Sequence, residues 1–347
     1  MSRFKVGLDN YGLYPLNLSP LEIMQWAKEH GAEGVAFSGL SPSERKYIDR
    51  AYLHDLSQYA SENNLYLEWG GGQHIPRDMV SRMVGQVSLP VEWDRKDVFT
   101  INEQAASEAE LLGIRIVRSC SGGLMRWNPA NPQTTTLLQE TAAALIAQRS
   151  MLRDHNVILA METHFEFTTF ELLRLFDMCE AEPGDWLGIC LDTMNLLTML
   201  EDPVSATGRV LPWVVSTHIK DGGILLDESG FTTFPVAIGS GIVDFPSIIS
   251  LLSTLTHDIN LSAEDHGGDF KLPIFNQRFL SEFPDLIVEE LHQLVEWSQK
   301  TNEEVRKGEC KIITRERWGE FCEERMTGNI NSLKSILSRL NGEARAV

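Results

Sequence analysis

The fold is decided by the stretch VVSTHIKDGG at residues 214–223. It begins as an apolar run of the kind that forms a buried strand, and it ends abruptly in His218, Lys220 and Asp221. A buried strand that runs into polar residues is typical of a parallel α/β barrel, which places its chemistry at the carboxyl ends of the strands. The stretch therefore indicates a barrel strand whose end faces a functional site.

Three further stretches end in the same way and bring Glu162, Asp192 and Glu264 to comparable positions. They are ILAMETH (158–164), GICLDTMN (188–195) and LSAEDHGG (261–268). From Glu162 through Asp192 and His218 to Glu264, the gaps are 30, 26 and 46 residues, each long enough for one strand, helix and loop of a repeating βα unit. Two glutamates, one aspartate and one histidine make a metal-ligand set. We therefore predict that these four residues bind one divalent ion, Mn²⁺ or Mg²⁺ rather than zinc, because carboxylates suit harder cations.

The rest of the chain continues the alternation of strand-like and helical patterns. Strand-like runs at 4–9, 34–39, 65–72 and 114–120 precede the four ligand strands. We predict an α/β fold, a (β/α)8 TIM barrel over residues 1–310, followed by a C-terminal helical extension over 311–347. Residues 75–92 are expected to form an irregular lid, 222–241 an extended loop, and 286–307 the eighth helix of the barrel.

Composition bounds the function. The chain has 347 residues, 43% of them hydrophobic, and a formal charge of −19. This negative charge repels phosphate backbones and acidic membranes. We therefore expect no nucleic-acid or membrane partner. No run approaches a membrane span, and the amino terminus does not resemble a secretory signal. Five widely spaced cysteines without a CxxC pair are expected to be reduced thiols, as in a cytoplasmic protein.

Several polar residues near the ligand positions are candidates for substrate binding. Arg118, at the end of the fourth strand, could hold a substrate carboxylate or hydroxyl, or pair with a neighbouring carboxylate such as Glu162. His164 and His266 each follow a ligand glutamate by two residues, so strand alternation puts them on the same face. They could contact substrate and move a proton, or orient a metal ligand. Lys220 could reach substrate or form a salt bridge.

Weaker candidates lie near the ends of the first and third strands. These are Asp9, Tyr11, Trp69 and His74. We assign His74 to substrate binding, with loop packing as the alternative for all four residues. The glycine-rich run before His74 lacks the spacing of a phosphate-binding loop.

From the order of these motifs, the chain resembles the xylose isomerase-like TIM barrel superfamily, the sugar phosphate isomerases and epimerases, over residues 4–307. The resemblance rests on METH, LDTMN, THIKD and AEDH, and on GSGIVDF at 239–245. It implies that Glu162, Asp192, His218 and Glu264 hold one divalent metal ion, usually manganese or magnesium. Ketose 3-epimerases usually carry a histidine and a further glutamate where this chain has Asn195 and Thr168. We assign Asn195 to substrate binding.

The resemblance implies a metal-dependent sugar isomerase or epimerase that acts on a small keto or hydroxy sugar through an enediolate. Glu162 or Glu264 would be the base, and His164 would relay the proton. The departures at Asn195 and Thr168 raise an alternative, a lyase that decarboxylates, dehydrates or deglycosylates a 3-keto sugar or keto sugar acid. A non-catalytic carbohydrate-binding barrel subunit is the second alternative.

An apolar stripe on the tail helix and the family resemblance predict a homo-oligomer, most simply a dimer. The stripe consists of Ile330, Leu333, Ile336, Leu337 and Leu340.

Overall fold

A computed structural model describes residues 4–38, 40, 45, 48–73, 95–121, 125–127 and 133–343. His74 and the lid expected at 75–92 lie outside the described residues. The strands, in chain order, are β1 (Phe4–Asp9), β2 (Gly34–Phe37), β3 (Tyr66–Gln73), β4 (Ile116–Cys120), β5 (Ile158–Glu162), β6 (Leu187–Asp192), β7 (Val214–Ile219), β8 (Asp221–Asp227), β9 (Gly230–Val236), β10 (Ile259–Ala263) and β11 (Phe270–Leu272).

Eight parallel strands close into a barrel in the order β1-β10-β7-β6-β5-β4-β3-β2. Every residue of β5 and β6 is buried, because side chains on one face fill the barrel interior and those on the other pack under the helices. The strand register pairs Asp192 with His218 and His218 with Ser262, which is two residues before Glu264. The predicted TIM barrel is confirmed, and its register brings the strand ends together.

The helices surround this barrel. They are α1 (Pro20–Glu29), α2 (Arg50–Asn63), α3 (Arg95–Leu112), α4 (Thr134–Asp154), α5 (Thr169–Met178), α6 (Asn195–Thr198), α7 (Pro203–Val210), α8 (Phe245–Leu252), α9 (Gln277–Ser281), α10 (Val288–Lys307) and α11 (Cys322–Glu343). Short 3-10 turns lie at Asn10–Leu16, Met125–Trp127, Leu211–Trp213 and Arg315–Glu320. Ser19 and Glu22 form a capping box at α1, as their spacing predicts. Thr168 and Glu171 form a second capping box at the start of α5. Thr168 therefore has a structural role as the N-cap of this helix.

The expectation of an extended loop at 222–241 is wrong. β8 and β9 pair antiparallel as a hairpin, and β11 joins them in a three-stranded sheet beside the barrel. This sheet has its own apolar core, which contains Met194, Phe231, Leu272 and Leu294. The segment has a strand pattern, but its glycines and its position between two barrel strands favoured a loop.

The helix at 286–307 is not the eighth helix of the barrel. It is α10, and it packs on β8 of the added sheet. α11 instead packs on β1 and β10, where an eighth helix would lie. Both helices carry an apolar face, and helical periodicity does not specify which sheet that face covers.

The apolar stripe of α11 belongs to the barrel core. Ile330 and Leu333 are fully buried there, with Ile336 and Leu337 beside them. The dimer expected from this stripe therefore stays a prediction that has lost its main structural support. No helix among the described residues combines the length and apolarity needed to cross a membrane.

Candidate metal centre

Four acidic or imidazole side chains converge at the carboxyl end of the barrel. Glu162 ends β5, Asp192 ends β6, His218 lies near the end of β7, and Glu264 follows β10. Each offers one ligand atom, and these atoms all lie within 4.8 Å of one another, with all four residues buried. The structure thus brings together the four residues that the sequence assigned to one ion.

Asp192 shows how the backbone prepares this centre. Its Oδ1 accepts hydrogen bonds from the backbone N–H groups of Met194 and Asn195, at 2.9 Å each. Its Oδ2 is buried and lies 2.9 Å from the Lys220 ammonium. Burial raises the pKa of the Asp192 carboxyl to about 7, although Lys220 acts in the opposite direction. One oxygen therefore fixes the side chain while the other is directed to the cluster.

His218 lies in the middle of the cluster. Its Nδ1 is 3.5 Å from Glu162 Oε2 and 3.4 Å from Glu264 Oε2, while its Nε2 is 3.5 Å from Asp9 Oδ2. Neither ring nitrogen makes a hydrogen bond among the described residues. Burial lowers the pKa of His218, but Cys190 and the surrounding carboxylates outweigh it and raise the pKa well above its usual range.

A divalent cation fits this arrangement. Both ring nitrogens of the buried His218 lack hydrogen bonds among the described residues, and such atoms need a partner. Asp192 Oδ2 and Glu264 Oε2 already attract one cation, the Lys220 ammonium, at 2.9 Å and 3.0 Å. Three carboxylates around one imidazole also concentrate negative charge that a cation would balance. Three oxygen donors and one nitrogen suit manganese or magnesium, and zinc accepts the same set. The chemistry of the cluster therefore agrees with a divalent metal site.

Lys220 reaches into the same cluster from the end of β7. Its Nζ lies 2.9 Å from Asp192 Oδ2, 3.0 Å from Glu264 Oε2 and 3.3 Å from His266 Nε2. Its side chain is 2% exposed. Of the two possibilities weighed for Lys220, the salt bridge is therefore present, and its position beside the ligand oxygens also puts it within reach of a molecule bound there.

His266 is held as a neutral imidazole. Its Nδ1 is 2.8 Å from the carbonyl oxygen of Gly267, to which it donates a proton, so that Nε2 is left to accept from Lys220. Burial and the Lys220 ammonium lower the pKa of His266 to about 3. His266 therefore supports Lys220 and carries no charge near neutral pH.

Both carboxylate oxygens of Glu162 accept hydrogen bonds from neighbouring side chains. Its Oε2 pairs with the Arg118 guanidinium through Nε and a terminal nitrogen, and its Oε1 accepts from Asn195 Nδ2 at 3.2 Å. Burial raises the pKa of Glu162, but Arg118 and His218 outweigh it and lower the pKa well below its usual range. Arg118 thus makes the ion pair that was the alternative to substrate binding, and Asn195 contacts a ligand residue.

His164 lies at the edge of the site. Its Nδ1 is 2.7 Å from Glu166 Oε1, and its side chain is 19% exposed. Burial lowers its pKa, but the carboxylate of Glu166 outweighs it and the net shift is upward. Cys120 is the third member of this group, since ligand-type atoms of all three lie within 4.8 Å of one another. Sequence reasoning missed Glu166 and Cys120, although Glu166 follows His164 by the same two-residue step that marked His164.

Among the weaker candidates that the structure describes, Asp9 and Tyr11 lie beside the site, whereas Trp69 does not. Asp9 lies against His218, and the ring of Tyr11 contacts His266 with centroids 5.5 Å apart. Trp69 is buried and donates its indole N–H to Glu108 at 2.6 Å, which is core packing. Asp9 therefore lies nearer to the centre of the site than its sequence position indicated.

Comparisons with known proteins agree with this geometry. The profile of the xylose isomerase-like TIM barrel family matches residues 24–292. The 3-oxo-isoapionate decarboxylase of Pectobacterium atrosepticum is 29% identical over 161 residues, which make up 45% of this chain and 54% of that protein. The match thus spans about half the length of this curated relative.

Solved structures share the fold. L-ribulose 3-epimerase aligns with a TM-score of 0.60 and 16% identity, covering 99% of this chain and 97% of its own. The IolI protein, solved with a zinc atom, aligns with a TM-score of 0.61 and 13% identity, covering 97% of this chain and 99% of its own. At these identities the likeness is one of fold.

Proposed function

Because the chain belongs to the xylose isomerase-like TIM barrel family, we propose that it is a divalent-metal-dependent lyase that decarboxylates a small 3-keto sugar acid. The matched relative is a decarboxylase, and the part of it that matches is about half of its length. The observation that carries the proposal is the position of Lys220 within the predicted ligand set.

Glu162, Asp192, His218 and Glu264 would hold the metal ion. When bound, the ion would supply Lewis acidity towards a keto oxygen of the substrate. The geometry of these residues already directs their ligand atoms to one point. The protein's own contribution lies in what surrounds that point.

Glu162 is poorly suited to remove a proton from carbon. A general base needs a carboxylate oxygen within hydrogen-bond reach of the substrate proton, and both oxygens of Glu162 are occupied, by Arg118 and Asn195. An epimerase that works with one base on each face of the sugar would lack one of them. Decarboxylation avoids this requirement, because the bond that breaks is a carbon–carbon bond.

In the proposed reaction, the bond between the carboxylate carbon and its neighbour breaks, and carbon dioxide leaves. The electron pair of that bond passes to the keto oxygen, and the neighbouring carbon then takes one proton. Lys220 is the proposed donor, since its ammonium lies 3.0 Å from Glu264 and 3.3 Å from His266 Nε2. His266, held neutral by its hydrogen bond to Gly267, would orient the ammonium.

The test uses manganese-loaded protein and a panel of 3-keto sugar acids in deuterated water. We expect carbon dioxide release that chelation abolishes, with one deuterium on the carbon that lost the carboxylate. Lys220→Gln should lower the rate by roughly a hundredfold or more if it delivers the proton. Its metal content is measured in parallel, because Lys220 contacts two proposed ligands.

Lys271→Gln, which changes an exposed lysine of β11, is the matched control and should keep full activity. Unchanged carbon dioxide release by Lys220→Gln would refute the assigned proton donor. Absence of carbon dioxide across the panel despite bound metal would refute the proposed reaction.

An isomerase or epimerase is the second candidate, and the His164–Glu166 pair favours it. An imidazole whose Nδ1 is held by a carboxylate at 2.7 Å can accept a proton at its other nitrogen. On this proposal, keto sugars without a carboxylate would exchange one carbon-bound hydrogen for deuterium and break no carbon–carbon bond. His164→Asn should abolish that exchange. A non-catalytic carbohydrate-binding barrel would bind such sugars without deuterium exchange and without release of carbon dioxide.

A further inference from the structure

The chain that follows α10 crosses the face of the barrel on which the proposed site lies. The backbone N–H of Gly268, just after β10, donates to the carbonyl oxygen of Ile313 at 2.8 Å. Gly267 and Gly268 both have positive φ, 63° and 91°. A Cβ atom on Gly267 would lie 2.9 Å from the Ile313 oxygen, and one on Gly268 would lie 2.8 Å from Arg315 Cγ. Residues 267–268 and 313–315 thus pack so closely that neither glycine could carry a side chain without displacing its neighbour.

Trp318 anchors this crossing. It is fully buried, and its indole N–H donates to the carbonyl oxygen of Gly12 at 2.9 Å. The Tyr14 hydroxyl donates to the carbonyl oxygen of Arg315 at 3.3 Å. The backbone of the turn at Arg315–Glu320 is therefore fixed against the residues that follow β1.

The guanidinium of Arg315 has no ion-pair partner among the described residues. One terminal nitrogen donates to the Tyr11 hydroxyl at 3.3 Å, and the guanidinium carbon lies 5.9 Å from the centre of the Phe270 ring. Arg315 is exposed. Arg317, two residues later in the same turn, pairs with Glu320 at 2.7 Å. Because its hydrogen-bond and ring contacts are with Tyr11 and Phe270, the guanidinium of Arg315 is available to form an ion pair with an anionic ligand.

A short series of contacts joins Arg315 to the metal centre. Its partner Tyr11 packs edge-on against His266, His266 contacts Lys220, and Lys220 contacts Asp192. Arg315 therefore lies on the outer rim of the same site, above the residues that would act on the substrate.

We propose that Arg315 binds the carboxylate of an anionic substrate at the mouth of the site, and that this selects sugar acids over neutral sugars. The inference rests on the proposed function and extends it to substrate class. A guanidinium pairs with a carboxylate through two parallel hydrogen bonds. The protein as a whole repels anions, and a cation at the mouth of the site would attract one to the barrel before it reaches Lys220. The residue comes from the C-terminal extension, which thus contributes to recognition.

The experiment measures binding to the manganese-loaded full chain by calorimetry, with xylonate and xylitol as a charged and a neutral probe of the same length. Arg315→Gln should weaken xylonate binding by roughly ten- to a hundredfold and leave xylitol binding unchanged. Arg315→Lys should fall between, since it keeps the charge and loses the paired geometry. The xylonate affinity of the natural protein should also fall with added salt.

Arg317→Gln is the matched control and should bind both probes as the natural protein does. Equal weakening for xylonate and xylitol in Arg315→Gln, or an equal loss in Arg317→Gln, would overturn the proposal, as would failure of the natural protein to prefer xylonate. Thermal unfolding of each variant shows that it is folded. Because binding needs no turnover, absence of decarboxylation would refute the proposed function but would leave the measured role of Arg315 in xylonate binding unchanged.

Discussion

Asp9 Oδ2 lies 3.5 Å from Nε2 of His218, on the side of the ring opposite the nitrogen that faces Glu162 and Glu264. Asp9 is itself fixed by the backbone N–H groups of Tyr11, at 2.9 Å, and Ser38, at 3.3 Å. A carboxylate on the far nitrogen of a metal-binding histidine fixes the tautomer and orientation of the ring. β1 thus contributes Asp9 to the candidate metal centre, beside the four predicted ligands.

Replacing Asp9 by asparagine should weaken metal binding while leaving all four proposed ligands in place. An amide holds the imidazole less firmly than a carboxylate, and loss of such a partner typically costs roughly ten- to a hundredfold in affinity. Competition with a chromogenic chelator measures the change. Asp244→Asn, at the N-cap of α8, is the control and should bind metal normally. An unaltered affinity in Asp9→Asn would show that Asp9 does not support His218.

The ligand set itself is tested by elemental analysis. Natural protein should carry one divalent ion per chain, and Glu162→Gln, Asp192→Asn, His218→Ala and Glu264→Gln should each lose most of it, since every change removes one converging donor. Glu166→Gln alters a buried carboxylate outside the set and should retain the ion. Retention of metal by all four ligand variants would contradict the predicted site.

The barrel and the convergence of the four candidate ligand residues could be predicted from the sequence because both depend on local signals. A buried apolar run that ends in a charged residue marks a strand end in a parallel barrel, and similar spacing repeats that signal along the chain. His218 and Glu264 could therefore be assigned to one site from the sequence alone.

The contacts around the ligands were harder to predict because they depend on register across the barrel. Asp9 meets His218 only when β1 and β10 close the sheet, and nothing near Asp9 in the chain marks that meeting. The choice between α10 and α11 as the helix beside β1 failed for a similar reason. Both have apolar faces, and the local sequence pattern does not show that an added sheet receives α10.

Asp221, the first residue of β8, joins the start of the added hairpin to the segment that follows β9, and its replacement should destabilise the protein. Asp221 Oδ1 accepts from the backbone N–H groups of Gly222 and Val243, and Oδ2 from those of Gly239 and Gly241, at 2.8 to 3.2 Å. In Asp221→Asn, an amide group would face two N–H donors. We expect a loss of about 2–4 kcal/mol in the free energy of unfolding, measured by urea titration.

Asp227→Asn provides the comparison at the other end of the same hairpin strand. Asp227 is exposed and accepts from Ser229, so its replacement should change stability little. If Asp221→Asn were as stable as Asp227→Asn, the four backbone contacts of Asp221 would not be holding the hairpin.

His266 should make the metal-free protein sensitive to mild acid. Its pKa is lowered to about 3 in the folded chain by burial and by Lys220, whereas an unfolded histidine titrates near its ordinary value of about 6.5. Between these two values the unfolded state binds more protons, so stability is fully present above pH 6.5 and is lost as the pH falls towards 3. From pH 7 to pH 5 the loss from this residue should be about 2 kcal/mol. Urea titrations at both pH values, with chelator present, measure the difference.

In His266→Gln, a side chain that does not titrate replaces the imidazole, and this contribution to the pH dependence should disappear. His292→Gln changes a histidine whose side chain is 72% exposed, and it should keep the dependence of the natural protein, because it leaves His266 and its surroundings in place. The comparison depends on the change in unfolding free energy between the two pH values, so any constant loss of packing in His266→Gln cancels. If natural protein and His266→Gln lost the same stability between pH 7 and pH 5, the imidazole would not be held neutral beside Lys220, and its proposed support of the ammonium would fail with it.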